Sequence, residues 1–267
     1  MDVTVGIITW NAKALLQQLL ESIYNCITHV EFEVLIVDNG STDGTIELLE
    51  SEFPKVRLIK NAVNEGVAPA RNRLLASSKG RYLLSLDVDT TVYPDAVETL
   101  VHVMDENTNV AIGGPKLVYE NGKLQLSCRP FPGLINIAIE GTFLKKYFPN
   151  SRFVKEYTLE EWDHNTQREV DWMYGACLII RKDCLERLGD FDEGFFYLYE
   201  DIDFCYRAKK LGMGILYIPE AVICHHLRRE ERSIFNRTIF IHVRSIARYL
   251  LLDYLQLRRF TGKGWKS

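Results

Sequence analysis

No run of about eighteen consecutive apolar residues occurs in this chain, so no membrane-spanning helix is predicted. Two nucleotide-binding signatures are also missing. GxGxxG does not follow the first strand-like run and GxxxxGK(S/T) occurs nowhere, which argues against a dinucleotide-binding Rossmann domain and a P-loop NTPase. The chain opens directly into "VTVGIITW", with no basic segment or cleavage site before it, so no export signal is predicted. The cysteines at 26, 128, 177, 184, 205 and 224 lack CxxC spacing. Buried free thiols are expected rather than disulfides or a zinc site, and a reducing cytoplasm fits them.

What is present is enough apolar material for a sizeable core: 47% of 267 residues are hydrophobic and 25% charged. That length allows one large domain or two small ones. The net charge of −4 is unevenly spread. Residues 227–267 hold ten Lys or Arg against three Asp or Glu, while the rest hold 22 against 33. In the tail, Ile239, Val243, Ile246 and Leu250 recur at helical spacing among Arg237, Arg244 and Arg248. A basic amphipathic helix of this kind lies on an anionic membrane surface, packs on the acidic body, or makes a dimer contact. No nucleic-acid partner is predicted. The expected organisation is a body over 1–226, with halves 1–108 and 109–226, and a helical extension over 227–267.

The first hundred residues alternate two kinds of signal. "VTVGIIT", "FEVLIVD", "VRLIKN" and "RYLLSLDVD" are short β-rich apolar runs, and "AKALLQQLLESIYNC", "TDGTIELLESEF" and "GVAPARNRLLASS" between them have helical character. This order predicts an α/β fold with a Rossmann-like, mostly parallel sheet and helices on both faces. Ligands of such sheets bind beyond the carboxyl ends of the strands. After residue 108, "VAIGGPKLVYENGKLQLS" predicts two strands around an Asn-Gly turn at 121–122. Residues 128–170 give no readable pattern. Beyond them a strand, a short helix, a helix from about 200 to 211 and a final strand pair are expected.

Polar residues gather where the predicted strands end, above all in "LDVD". Residues i and i+2 of an extended chain point to one side, so Asp87 and Asp89 can share a ligand while Val88 faces away. A hard divalent cation would neutralise both and could hold a diphosphate as well. The alternative is that Asp89, Thr90 or Thr91 caps a following helix. A second acidic cluster, Glu200-Asp201-Ile202-Asp203, falls at a predicted helix start, where the helix dipole stabilises carboxylates. Asp201 and Asp203 lie about 200° apart around a helix and cannot share a target. Asp203 has a structural partner in Arg207 at i+4. His225-His226 follow a strand, whose alternation gives each face one imidazole.

Taken in order, "VDNGSTDGT", "NEGVAPARN", "LDVD", "GACLIIRKD", "FDEGFFYLYEDIDFCYRAKKLG" and "IPEAVICHH" resemble the family 2 glycosyltransferases, of the rhamnosyltransferase-like kind that build cell-surface polysaccharide. The resemblance spans about residues 1–226. It implies a GT-A fold, inverting transfer from a nucleotide-diphosphate sugar (UDP-, dTDP- or GDP-linked) to a glycan or lipid-linked acceptor, and a divalent metal. It implies that Thr9 and Trp10 line the nucleoside pocket. Asp38 would bond to base or ribose, which suits an acceptor at a strand end, although "DNGS" also suits an Asx-turn. Arg71 would face the base or diphosphate, or else is a solvated helix charge. Asp87 would reach the ribose side and Asp89 the metal; the family often has a third acid where Val88 stands. Asp201 would be the base that takes the acceptor's proton, with Glu200 in reserve or orienting it. His225 would join Asp89 at the metal, and a His ligand favours Mn²⁺ over Mg²⁺. Trp172, Tyr174 and Gly175 would lie where acceptor and donor sugar meet.

Two other classes compete. A sugar nucleotidyltransferase would carry a Gly-rich basic loop after its first strand, where this chain has "TWNAKAL". A non-catalytic nucleotide-sugar or polysaccharide binder would have no need of Asp201.

Overall fold

The computed structural model describes residues 1–140, 151–227, 237–254, 259–260 and 265–266. The predicted order β1 (Val3–Thr9), α1 (Lys13–Cys26), β2 (Phe32–Asp38), α2 (Thr45–Glu52), β3 (Arg57–Lys60), α3 (Val67–Ser77), β4 (Tyr82–Asp87) is present. It continues through β5 (Thr90–Val92), α4 (Ala96–Glu106), β6 (Val110–Val118), β7 (Cys128–Arg129), α5 (Leu134–Glu140), α6 (Arg152–Thr158), β8 (Arg168–Glu169), β9 (Trp172–Met173) and β10 (Cys177–Arg181). After one helical turn, Leu185–Leu188, come α7 (Glu200–Lys210), β11 (Gly214–His225) and α8 (Arg237–Tyr249).

The main sheet runs β3-β2-β1-β4-β10-β6-β11-β5, with β8 on β11. β1, β2, β3 and β4 are mutually parallel, and β6 is parallel to β11. β10 runs antiparallel between β4 and β6. Strand alternation divides the core in two. Val3, Val5, Ile7, Leu84 and Leu86 face one layer with Leu16, Leu19, Leu20 and Ile23 of α1 and Leu100 of α4. Leu35, Val37 and Leu83 face the other with Leu74 and Leu75 of α3 and Phe204 and Ala208 of α7. With both faces covered, the strands read as continuous apolar runs.

Three expectations change. Residues 90–92 form an edge strand and not a helix start; α4 begins only at Ala96, after Asp95 at φ 62°. Asp89 therefore caps no helix. The Asn-Gly turn forms, with Gly122 at φ 75°, but its second strand reduces to one bridge, Val118 to Leu124. The expected final strand pair is one strand of 12 residues, β11, whose register shifts between Ile218 and Val222 around Pro219. Proline removes a ladder donor, and a bulge absorbs it.

The helical tail packs on the body where it is described. Ile246 and Leu250 sit against the second core layer, while Val243 and Leu251 are 57% and 52% exposed. The Arg237 and Ile239 side chains, and residues 141–150 of the unreadable segment, lie outside the described residues.

Candidate active site

The carboxyl ends of β1, β2 and β3 form the first part of the site. Register pairs Thr9 with Asp38, and the Asn61 N–H donates to the Asp38 carbonyl (2.8 Å). Asp38 Oδ2 accepts from the Gly40 and Ser41 N–H groups (3.1 and 2.9 Å), which is the Asx-turn. Among the described residues its buried Oδ1 has no hydrogen-bond partner, nor do the buried Thr9 Oγ1 and Asn61 Oδ1. An unpaired buried polar atom costs about 1–3 kcal/mol. Three at adjacent strand ends mark a ligand-facing rim better than a plain turn. Trp10, 54% exposed, stands beside them.

The second part is the acid pair. Asp87 ends β4, and Asp89 precedes β5, which pairs antiparallel with the end of β11 and sets His225 opposite Thr90. The His226 N–H donates to the Asp89 carbonyl (2.9 Å) and closes the turn. One ligand atom from each of Asp87, Asp89 and His225 lies within 4.8 Å of the other two. His225 Nε2 is 3.5 Å from Asp89 Oδ1, and Nδ1 is 2.6 Å from Gln125 Oε1. The Gln125 side-chain NH₂ donates to the His225 carbonyl (3.4 Å), so its oxygen faces the ring and can only accept. The proton is thereby held on Nδ1 and the Nε2 lone pair is directed at the acids, as a metal-binding histidine requires. His226 turns away, bonding Glu120 (2.6 Å) and Thr91 (2.9 Å). Burial pushes Asp87 up to about 6; Arg71 opposes the shift and Asp89 adds to it. A divalent cation would reverse that balance. Two carboxylates and an imidazole fit such an ion.

The third part is the start of α7. Asp201 Oδ2 accepts from the Gly175 N–H (3.0 Å) and Oδ1 from the Ile202 N–H (2.8 Å). Glu200 is buried against Arg71 Nη1 (3.1 Å). Arg71 Nη2 donates to the Gly175 carbonyl (3.0 Å) and lies 3.9 Å from Asp87 Oδ1. One buried guanidinium thus joins α3, the loop before β10, the first acid pair and the second. Burial pushes Glu200 up to about 7, the Asp201 charge pushes it further, and Arg71 opposes both. Asp201 is also raised by burial, with Arg71 and its two N–H donors opposing. A base with raised proton affinity is better matched to work near neutrality. Asp203 forms the i+4 pair with Arg207 (2.9 Å), fully inside the protein.

Trp172 is packed in the core, its indole N–H given to the Pro130 carbonyl (2.9 Å), which leaves little of its face open. Tyr174, half-buried, accepts a bond from Arg129 (2.9 Å). Gln125 carries site geometry that its sequence context did not single out. Gln125 follows a turn without a motif, and only strand pairing brings it to His225.

The sequence profile of glycosyl transferase family 2 matches residues 4–188. The chain belongs to that family. This family 2 member is a glycosyltransferase. It is 28% identical over 230 residues to an N-acetylglucosaminyl-diphospho-decaprenol L-rhamnosyltransferase of Mycobacterium tuberculosis, covering 82% of this chain and 74% of that one. It is 25% identical over 254 residues to the low-salt glycan biosynthesis hexosyltransferase Agl10 of Haloferax volcanii, covering 92% of this chain and 74% of that one. Among solved structures it resembles GalNAc-T7 with UDP, GalNAc and Mn²⁺ (TM-score 0.66, 17% identity, 92% of this chain). It also resembles S. aureus TarS 1-349 with UDP-GlcNAc (TM-score 0.61, 20% identity, 94% of this chain). The chain spans 48% of the GalNAc-T7 chain and 67% of the TarS one. The shared fold is the GT-A fold.

Proposed function

We propose that this glycosyltransferase is inverting and metal-dependent, and moves a sugar from a nucleoside-diphosphate sugar to a hydroxyl of a glycan or lipid-linked acceptor in surface polysaccharide assembly. The observation that carries the reading is the Arg71 bridge. Its guanidinium touches Glu200 and the carbonyl of Gly175, the residue whose N–H holds Asp201, and stands 3.9 Å from Asp87 of the acid pair. A cation site for the leaving diphosphate and a base for the acceptor thus share one rim of the sheet.

In this reading the acceptor hydroxyl attacks the anomeric carbon from the face opposite the diphosphate, and Asp201 takes the hydroxyl proton. The bond from that carbon to the phosphate oxygen breaks, its electrons leave with the nucleoside diphosphate, and the configuration inverts. General-base assistance contributes about 10²–10⁴-fold. The N–H groups of Ile202, at the start of α7, and of Gly175 favour the anionic form of Asp201 against its burial. Asp87, Asp89 and His225 would hold Mn²⁺ or Mg²⁺, which supplies positive charge to the departing diphosphate. Thr9, Trp10, Asp38 and Asn61 would receive the nucleoside. Tyr174 and Gly175 would stand on the acceptor side, Gly175 through its backbone, while the buried Trp172 would support them from the core and offer no face to a sugar.

No helix among the described residues is long and apolar enough to cross a membrane. A cytoplasmic protein, resting peripherally on the anionic inner face through the exposed Val243 and Arg244 of α8 and Leu251 just beyond it, accords with a lipid-linked acceptor. Sedimentation with phosphatidylglycerol vesicles, lost in Val243→Asp, tests that placement.

The direct test is a thermal-shift panel of UDP, dTDP and GDP, with and without Mn²⁺, on wild type, Asp89→Asn and Asp201→Asn. A ligand at 100 times its Kd adds about 2.7 kcal/mol, roughly 5–11 °C at this size. One nucleotide should shift the wild type and Asp201→Asn only with Mn²⁺, and should fail with Asp89→Asn. Full sugar turnover by Asp201→Asn would remove it as the base. No shift with any nucleotide would favour a non-catalytic binder.

A further inference from the structure

The segment that delivers Asp201 is strained. Immediately before Glu200, Leu198 and Tyr199 both take left-handed backbone angles, φ 64° and 72°. Bulky L-residues rarely adopt this conformation. Such a backbone persists only where its surroundings over-determine it. From the inside, the Val67 N–H donates to the Phe196 carbonyl (2.9 Å), and Asn72 bonds both ways to Phe191 (2.8 and 3.0 Å).

From the outside the segment is held by α8. Arg248 forks onto Asp192, with Nη2 2.7 and 2.9 Å from the two carboxylate oxygens and Nε 3.2 Å from one. The pair is only 29% and 10% exposed. The guanidinium also lies 5.6 Å over the Phe195 ring, and a Cβ at Gly194 would collide with it. The Ser245 hydroxyl donates to the Tyr197 carbonyl (3.1 Å). Tyr199 itself packs against Tyr249 (5.4 Å) and His242 (6.0 Å). Residues 242, 245, 248 and 249 share one helix face, and that face meets the strained segment along its length.

We propose that α8 is a latch for the catalytic base: Arg248, through its fork on Asp192, and Ser245, through Tyr197, are positioning residues that hold the left-handed turn at Leu198–Tyr199 and so fix Asp201 against the Gly175 N–H. The profile match ends at residue 188, so both latch and segment lie outside it. The role in catalysis rests on the function proposed above; the geometry of the latch does not.

Amide exchange separates the two. In Arg248→Ala, exchange at the Gly175 and Ile202 amides, the two that hold Asp201, should quicken about tenfold, an opening that merely local loosening around α8 would not reach. Arg248→Lys, which keeps the charge without the fork, should fall between. Arg152→Ala breaks an exposed pair with Glu156 (87% and 54% exposed) and should change nothing. With the nucleotide sugar whose diphosphate shifts the wild type, Arg248→Ala should lower kcat at least tenfold and leave the donor KM within twofold. If Arg248→Ala does not fold, Ser245→Ala carries the same two readouts. Unchanged exchange at Gly175 and Ile202 overturns the latch. Quickened exchange with unchanged kcat overturns its catalytic role. Absence of turnover in wild type as well defeats the glycosyl-transfer reading and leaves the exchange result to decide the latch.

Discussion

Replacing Gly175 with alanine would put a methyl carbon 2.5 Å from Arg71 Nη2 and 3.1 Å from Nη1. Ordinary contact needs about 3.5 Å or more, so the guanidinium must retreat by about 1 Å. It has little room to do so. Arg71 is 3% exposed, lies 5.4 Å over the Phe191 ring and is bonded to the Gly175 carbonyl and to Glu200. Retreat stretches both bonds, and overpacking of this kind costs about 1–3 kcal/mol. At about 2–4 °C per kcal/mol the melting temperature should drop roughly 2–12 °C. The catalytic effect should be larger, because the same peptide donates its N–H to Asp201. A misplacement of about 1 Å can cost about 10²-fold in rate. Scanning fluorimetry and turnover of the donor sugar measure the two effects separately, and Gly175→Ala with Arg71→Lys should recover part of the stability by freeing space. Melting within a degree of wild type with undiminished turnover would refute the view that Arg71 and the Gly175 peptide position the base.

Other consequences are equally specific. Gln125→Ala releases the His225 tautomer, and Mn²⁺ affinity measured by calorimetry should weaken about 10–100-fold. Glu200 holds its proton to about 7 in the folded state, against an ordinary 4.5. The folded state therefore binds more protons than the unfolded state between those values, and stability should decline as pH rises through that window. Chemical denaturation from pH 4.5 to 7.5 should show a shallower decline in Glu200→Gln. Arg207→Ala leaves Asp203 buried without its ion pair and strips hydrogen bonds from the Leu188 and Asp190 carbonyls. Loss of about 3–5 kcal/mol should appear in the denaturation midpoint.

The sequence made legible what depends on local pattern. Apolar runs with intervening helical periodicity located the first four strands, and the polar residues at their ends located the rim. The i+2 spacing of Asp87 and Asp89 and the i+4 spacing of Asp203 and Arg207 needed only element geometry. What it hid depends on pairing between distant segments. Thr90–Val92 looks like a helix approach because Pro94 and Asp95 follow; it is a strand because β11 offers it an edge. Gln125, held on β6, reaches His225 because β6 and β11 are neighbours, and the pairing of β11 with β5 turns His225 rather than His226 toward Asp89. For Arg71, 71 gives the chain position but not the direction: the apolar face of α3 turns it inward, where Glu200, 129 residues away in sequence, supplies its counter-charge.

The insertion of β11 between β6 and β5 also orders events during synthesis. Both neighbours emerge from the ribosome about a hundred residues before it, and each then exposes a row of unpaired backbone groups. Half of the sheet can settle early around β1 to β4, while this edge stays open until residue 225 has been made. A chain stalled before Gly214 would leave the β5 and β6 edges unpaired and lack His225. The strand that brings His225 to Asp87 and Asp89 is also the one that seals the fold, so a nascent chain assembles that cluster only as its open edges are covered.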